Sequence, residues 1–218
     1  MYARPVMRGA RRVLLSRHGE TEANRDHHVQ GRNVNFGLTE NGKEQNFRLA
    51  RFLCSHDMRP DIILASPLVR AQESAHIIGT FLGVPTETHE DLSEIDFGDI
   101  QSFSLEDMKK TRVDAIDYYA GLDINIIYPG GEEVRNARAR MVNSFFGILQ
   151  QYPTENLLIV SHGGVLRLLM SWILYTDHIQ PLYHANTGLT VLECLPDIER
   201  FLIRTLNSTI HLTDPCYA

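Results

Sequence analysis

Short apolar runs alternate with longer amphipathic stretches along most of the chain. Arg12-Val13-Leu14-Leu15-Ser16, Asp61-Ile62-Ile63-Leu64-Ala65 and Asn156-Leu157-Leu158-Ile159-Val160 are almost continuously apolar. Runs of that length suit strands covered on both faces, as in a parallel sheet. Between them the apolar period lengthens to that of a helix. Thr39 to Ser55 opens on a residue suited to an N-cap, and Phe47, Leu49, Ala50, Leu53 and Cys54 form one stripe. A second helix is predicted with Pro67 in its first turn, ending near Leu82 before Gly83 and Pro85. A third is predicted over 131–151, between Pro129-Gly130 and Pro153, and an almost wholly apolar, buried one, holding Arg167, over 165–175. Two strands, 187–195 and 199–206, close the pattern, joined through Pro196-Asp197. Such alternation predicts an α/β fold: a three-layer α/β/α architecture with a mostly parallel central sheet. With no linker and no repeat, it reads as one domain over 12–218, least regular over 92–130.

Composition changes this picture little. The 218 residues are 43% hydrophobic and 22% charged, ordinary values for a globular chain. Charge is more informative. The net value of −6 excludes the basic footprint of a nucleic-acid binder, and at first sight it disfavours an anionic substrate too. Five arginines (Arg4, Arg8, Arg11, Arg12, Arg17) fall in the first 17 residues, so the remaining 201 hold 16 basic against 27 acidic side chains. Residues 1–11 are expected to form a basic tail. No apolar stretch approaches the ~20 residues that cross a bilayer, so no membrane partner is expected. Cys54, Cys194 and Cys216 are odd in number and widely spaced, which suits a reducing, cytoplasmic compartment.

Chemistry collects at two similar strand ends. One reads Leu15-Ser16-Arg17-His18-Gly19, the other Val160-Ser161-His162-Gly163-Gly164. Ligands of open α/β sheets bind beyond the carboxyl ends of the strands, so parallel pairing would bring His18 and His162 to one edge. Ser66-Pro67-Leu68-Val69-Arg70 would deliver Arg70 there as well. Two guanidinium forks suit the oxygens of a phosphate or a carboxylate. The amides of Gly163 and Gly164, ahead of a helix, would favour an anion. A histidine beside two arginines stays neutral, and therefore nucleophilic. Attack on phosphorus also needs an acid for the leaving oxygen, and Glu94 is the candidate.

The segment Ser16-Arg17-His18-Gly19-Glu20-Thr21-Glu22-Ala23-Asn24 resembles the Arg-His-Gly signature of the histidine phosphatase superfamily, with its phosphoglycerate mutase-like fold. Further blocks follow in the family's order: Gln30-Gly31, Leu38-Thr39-Glu40-Asn41-Gly42 and Ser66 to Glu73. Then come Glu94 with Phe97-Gly98, Pro129-Gly130-Gly131-Glu132, and Ser161-His162-Gly163. The resemblance implies that His18 becomes a phosphohistidine and that Glu94 serves as acid and then base. It implies that Arg17, Arg70 and His162 hold the transferring oxygens, with Asn24, Gln30, Gly31 and the Gly163 amide as further phosphate or substrate contacts. It implies no metal and no cofactor, a small phosphorylated metabolite as partner, and a monomer or homodimer.

The superfamily contains hydrolases and mutases. Its cofactor-dependent mutases carry a longer stretch between the acid and the second histidine, with basic residues that grip a second phosphate. Here 68 positions separate Glu94 from His162, and the first basic residues after the acid are Lys109, Lys110 and Arg112. The expectation is therefore the compact phosphatase branch. A 2,3-bisphosphoglycerate-dependent phosphoglycerate mutase is the first alternative, and a non-catalytic phosphate- or protein-binding member the second. The loop from Gly31 to Leu38 departs from the family, which more often shows an aspartate, a Pro-Leu pair and one residue fewer. Three competing readings are weaker. His27-His28 lacks the spacing of metal ligands and reads as surface. Ser161 lacks the Gly-x-Ser-x-Gly setting of a serine hydrolase. Lys109-Lys110-Thr111-Arg112 reads as a solvated face, though it could reach a substrate's distal anion.

Overall fold

The computed structural model describes residues 10–104, 106–107, 124–179, 182–194 and 201–217. Its strands are β1 (Arg11–Arg17), β2 (Ile62–Ala65), β3 (Thr86–Thr88), β4 (Leu157–Ser161), β5 (Leu189–Cys194) and β6 (Phe201–Ser208). The α-helices are α1 (Glu22–Arg25), α2 (Glu40–Ser55), α3 (Val69–Leu82), α4 (Val134–Gln151), α5 (Gly163–Ile173) and α6 (Ile210–Thr213). Sheet order is β3-β2-β4-β1-β5-β6. The first four in that order run parallel, while β5 is antiparallel to β1 and β6 to β5.

Successive strand residues face opposite ways, and the two faces nucleate two cores. Val13, Leu15, Ile62, Leu64, Leu157 and Ile159 pack under Met141, Phe145 and Ile148 of α4 and Leu166 and Leu169 of α5. Leu14, Ile63, Ala65, Leu158 and Val160 pack under Leu49 and Leu53 of α2 and Ala75 and Ile78 of α3. Two covered faces explain why the central runs are apolar at every position. The three-layer α/β/α architecture is thus as the alternation predicts.

Several boundaries move for identifiable reasons. β1 begins at Arg11, which belongs to the sheet and not to the tail: it is buried, and its Nη2 donates to Leu149 O at 2.7 Å. Pro67 precedes α3 instead of opening it. Leu68 is the N-cap, and the Ser66 hydroxyl accepts its amide at 3.3 Å. α4 starts at Val134 and not at 131, because Asp99 and Glu132 donate backbone amides to Pro129 O and Asp96 O, tying 129–132 to the neighbouring loop. α5 starts at Gly163, two residues early, and ends at Ile173 where Tyr175 turns left-handed at φ 51°. The final strands lie at 189–194 and 201–208, and their expected connection falls outside the described residues. So does Lys109 to Arg112.

Candidate active site

Register assembles the centre. Parallel pairing sets Arg17 opposite Ser161, so His18 and His162 leave the sheet side by side; the His18 amide donates to Ser161 O at 2.9 Å. Their ring centroids stand 5.2 Å apart. Pairing of Ala65 with Val160 brings Ser66 to the same level, and its hydroxyl meets His162 Nε2 at 2.7 Å. Arg70 follows on the first turn of α3 and is 1% exposed.

The loop after β1 is held tightly. A Cβ on Gly19 would strike the Asn46 side chain and Gly42 O, so only glycine lets this loop lie against α2. The Gly19 amide donates to Ser74 Oγ at 3.0 Å, and Ser74 donates to Arg70 O at 2.8 Å. One hydroxyl therefore ties the His18 loop to the helix turn that carries Arg70. Asn186 adds a second tie, its Nδ2 reaching His18 O at 3.0 Å and Asn24 Oδ1 at 3.1 Å.

Glu94 arrives from the loop after β3, past a 3-10 turn at Glu90–Leu92. Its Oε1 accepts the amides of Ile95 at 2.9 Å and Val165 at 3.1 Å, and its Oε2 accepts that of Gly164 at 3.0 Å. First-turn amides have no partner within their own helix, and a carboxylate is favoured there by the helix dipole. This cap is the reason α5 begins at the glycines. The anion seat expected of Gly163-Gly164 is thus partly taken by the chain itself, and only the Gly163 amide is left untouched by Glu94. Ser161 Oγ donates to Leu92 O at 2.7 Å, which pins the same loop to β4.

Electrostatics follow from burial among cations. His18 is 2% exposed, and its pKa lies well below 6.5, first through burial and then through Arg17 and Arg70. His162 is lowered likewise by burial, then by Arg70, His18 and Arg17. Burial brings Arg70 down to about 10, with Arg17 adding to the effect and Glu94 opposing it. His18 Nδ1 lies 2.7 Å from Gly19 O. A carbonyl only accepts, so Nδ1 carries the hydrogen, and a neutral ring then exposes the lone pair of Nε2.

Three donors of this cluster, Arg17 Nε, Arg70 Nε and His162 Nδ1, are buried without a hydrogen-bond partner. Buried polar groups are nearly always paired, so such a concentration marks where a ligand's acceptors belong. Arg17 Nη1 meets His184 O at 3.0 Å, while Arg70 Nη2 and Nη1 meet Gly31 O at 3.0 Å and Val34 O at 3.2 Å.

The other expected contacts make hydrogen bonds with neighbouring protein groups. Asn24 Oδ1 accepts from the Thr21 amide and hydroxyl, and Gln30 Oε1 accepts from the same hydroxyl at 2.9 Å. Gly31 offers its carbonyl to Arg70. These three shape the loop that faces the cluster. His27 is exposed and His28 half-buried, and among the described residues no group of three potential ligands could hold a metal. No described helix is long and apolar enough to cross a membrane. Sequence reasoning missed Ser66, Ser74, Asn46 and Asn186, whose partners lie across the fold and leave no local signature.

Known proteins resemble the chain over most of its length. The chain is 30% identical over 202 residues to an uncharacterized phosphatase, PhoE, of Bacillus subtilis (strain 168), covering 92% of this chain and 96% of that one. It is 32% identical over 162 residues to a 2,3-bisphosphoglycerate-dependent phosphoglycerate mutase of Chelativorans sp. (strain BNC1), covering 72% and 78%. The solved structure of Bacillus stearothermophilus YhfR superposes with a TM-score of 0.83 at 29% identity, covering 92% of this chain and all of that one. The family model of the histidine phosphatase superfamily (branch 1) matches residues 13–209, and the chain belongs to that superfamily.

Proposed function

We propose that the protein is a metal-independent phosphatase that hydrolyses small phosphomonoesters through a phosphohistidine at His18. The observation that carries this reading is the trio of unpaired buried donors around a neutral histidine whose Nδ1–H is held by Gly19 O.

Substrate phosphate accepts from Arg17 Nε, Arg70 Nε and His162 Nδ1. The Ser66 hydroxyl donates to His162 Nε2, which leaves the hydrogen on Nδ1, facing the phosphate. His18 Nε2 attacks phosphorus, the N–P bond forms, and the ester P–O bond breaks in line. Glu94 gives its proton to the departing alcohol oxygen. Its Oε2 takes one amide where Oε1 takes two, so Oε2 has the spare lone pair for that proton. Glu94 then removes a proton from water, the hydroxide attacks phosphorus, and the N–P electron pair returns to Nε2. Arg17 and Arg70 stabilise charge on the equatorial oxygens, the largest demand in phosphoryl transfer.

Hydrolysis is favoured over mutase chemistry by the 68-position span from Glu94 to His162 and the absence of arginines soon after the acid. Sugar phosphates, phosphoglycerates and nucleotide-pathway phosphomonoesters are the substrate classes of this reading, with a cytoplasmic location. Rapid quench with substrate should trap acid-labile phosphate on the protein, and His18→Ala should abolish it. Turnover that collapses with a chelator, or persists in His18→Ala, refutes the mechanism. Isomer formation faster than phosphate release would identify a mutase. Binding without turnover across a metabolite panel would identify the non-catalytic alternative.

A further inference from the structure

One guanidinium makes three contacts with the backbone of the loop that carries Glu94. Arg140, on α4, donates through Nη1 to Asp91 O at 2.6 Å and Ser93 O at 2.9 Å, and through Nη2 to Glu94 O at 3.3 Å. The same side chain forms a two-pronged pair with Glu132, Nε to Oε1 and Nη2 to Oε2, both at 3.1 Å. Glu132 Oε2 also accepts Arg32 Nη2 at 3.0 Å and the Asp96 amide at 3.4 Å, and Arg32 Nε reaches Glu94 O at 3.4 Å. Arg140 and Glu132 are each 16% exposed at the side chain. The planar fork of an arginine fixes direction as well as distance, which a lysine cannot do.

The apolar face of α4 does not need this contact. Val134, Ala137, Met141, Phe145, Ile148 and Leu149 already bury the helix against the sheet. What Arg140 adds is a fixed height for the carbonyls of Asp91, Ser93 and Glu94 in an irregular loop. The α5 amides hold the Glu94 carboxylate; Arg140 and Glu132 hold its backbone. A reacting group displaced by about 1 Å can cost roughly 100-fold in rate.

We infer that Arg140, braced by Glu132, is a positioning residue that sets the distance from the Glu94 carboxyl to the leaving-group oxygen. This rests on the reading of Glu94 as the acid. Loss of the brace therefore slows departure of a basic leaving group far more than departure of one that needs no proton.

The test compares phenyl phosphate with p-nitrophenyl phosphate on the full chain, for wild type, Arg140→Met, Arg140→Lys, Glu94→Gln and the Arg140→Met/Glu94→Gln double variant. Arg140→Met should lower kcat/KM for phenyl phosphate about 10- to 100-fold and for p-nitrophenyl phosphate less than about threefold, because kcat/KM ends at phosphorylation of His18 and leaves out the water step that Glu94 serves as base. Arg140→Lys should recover part of the loss, and Arg140→Met should add nothing in the Glu94→Gln background. Equal losses of kcat/KM on both esters, or additive losses in the double variant, would overturn the inference. If Arg140→Met does not fold, the ester ratio of Arg140→Lys decides on the same criterion. If Glu94→Gln itself slows both esters equally, the reading of Glu94 as acid falls first. If Glu94→Gln discriminates and the Arg140 variants do not, only the positioning role falls.

Discussion

Gly164→Ala isolates the chemical role of Glu94 from its structural one. A Cβ built on Gly164 would stand 2.5 Å from Glu94 Oε1, 3.0 Å from Ile95 Cδ1 and 3.1 Å from Glu94 Cδ, where ordinary contact begins near 3.4 Å. The carboxylate must retreat by about 1 Å, enough for a rate loss of roughly 100-fold if it is the acid. Stability should change far less. Loss of a helix cap costs about 0.5–2 kcal/mol, while alanine gains about 0.5–1 kcal/mol over glycine in a helix. The balance is about 1 kcal/mol, or some 2–4 °C in Tm for a chain of this size. Gly147→Ala is the control, because that glycine lies exposed on α4 with nothing within 4 Å of its Cβ position. It should gain about 0.5–1 kcal/mol with unchanged kcat. The assay is steady-state kcat on phenyl phosphate beside a thermal melt of each variant. A Gly164→Ala enzyme within twofold of wild type would refute the assignment of Glu94 to the leaving group.

Three further outcomes follow from the geometry. Because burial, then Arg17 and Arg70, hold His18 well below 6.5, kcat/KM should keep its nucleophile active below the usual histidine range. Arg17→Gln removes a cation that opposes the imidazolium, so the acid limb of the pH–rate profile should move upward; a downward move contradicts the assignment. Burial brings His184 and His211 to about 4, so the unfolded chain binds more protons between pH 4 and 6.5 and stability falls as pH drops through that window. His211→Gln, which can keep the bond to Thr187 Oγ1, should flatten the dependence of unfolding free energy near pH 5 by up to about 1.4 kcal/mol per pH unit, read by denaturant titration. Ser74→Ala leaves the buried Gly19 amide without its acceptor and should cost about 1–3 kcal/mol in the same measurement.

The parts of the site visible in the sequence are those whose chemistry is local. Arg17, His18 and Gly19 are adjacent in sequence, as are His162, Gly163 and Gly164, and strand ends of a parallel sheet must meet. Two covered faces make the central strands apolar throughout, so the fold class was equally plain. Glu94 was nameable, but not as the cap of α5, since 70 positions separate it from Gly164. Arg140 had no signal at all: its partners Asp91, Ser93 and Glu94 lie 49, 47 and 46 positions away along the chain. Arg138 pairs with exposed Asp177, while Arg140 is the one turned under the acid's loop. Ser66, Ser74 and Asn186 were invisible for the same reason, each being a single polar residue whose partner is distant along the chain.

In the mechanism proposed above, the nucleophile and the acid rest on supports of unequal strength. His18 follows a central strand paired on both sides, while Glu94 hangs on an irregular loop fastened by side-chain bonds and a helix cap. Irregular segments open at lower free energy than central strands. Warming below the melting transition should therefore erode the two halves of the reaction in sequence. Esters with acidic leaving groups would still phosphorylate His18 after the capacity to expel an alcohol, and to free the enzyme with water, had declined. In that interval the protein would pass from a catalyst to a single-use acceptor of phosphate.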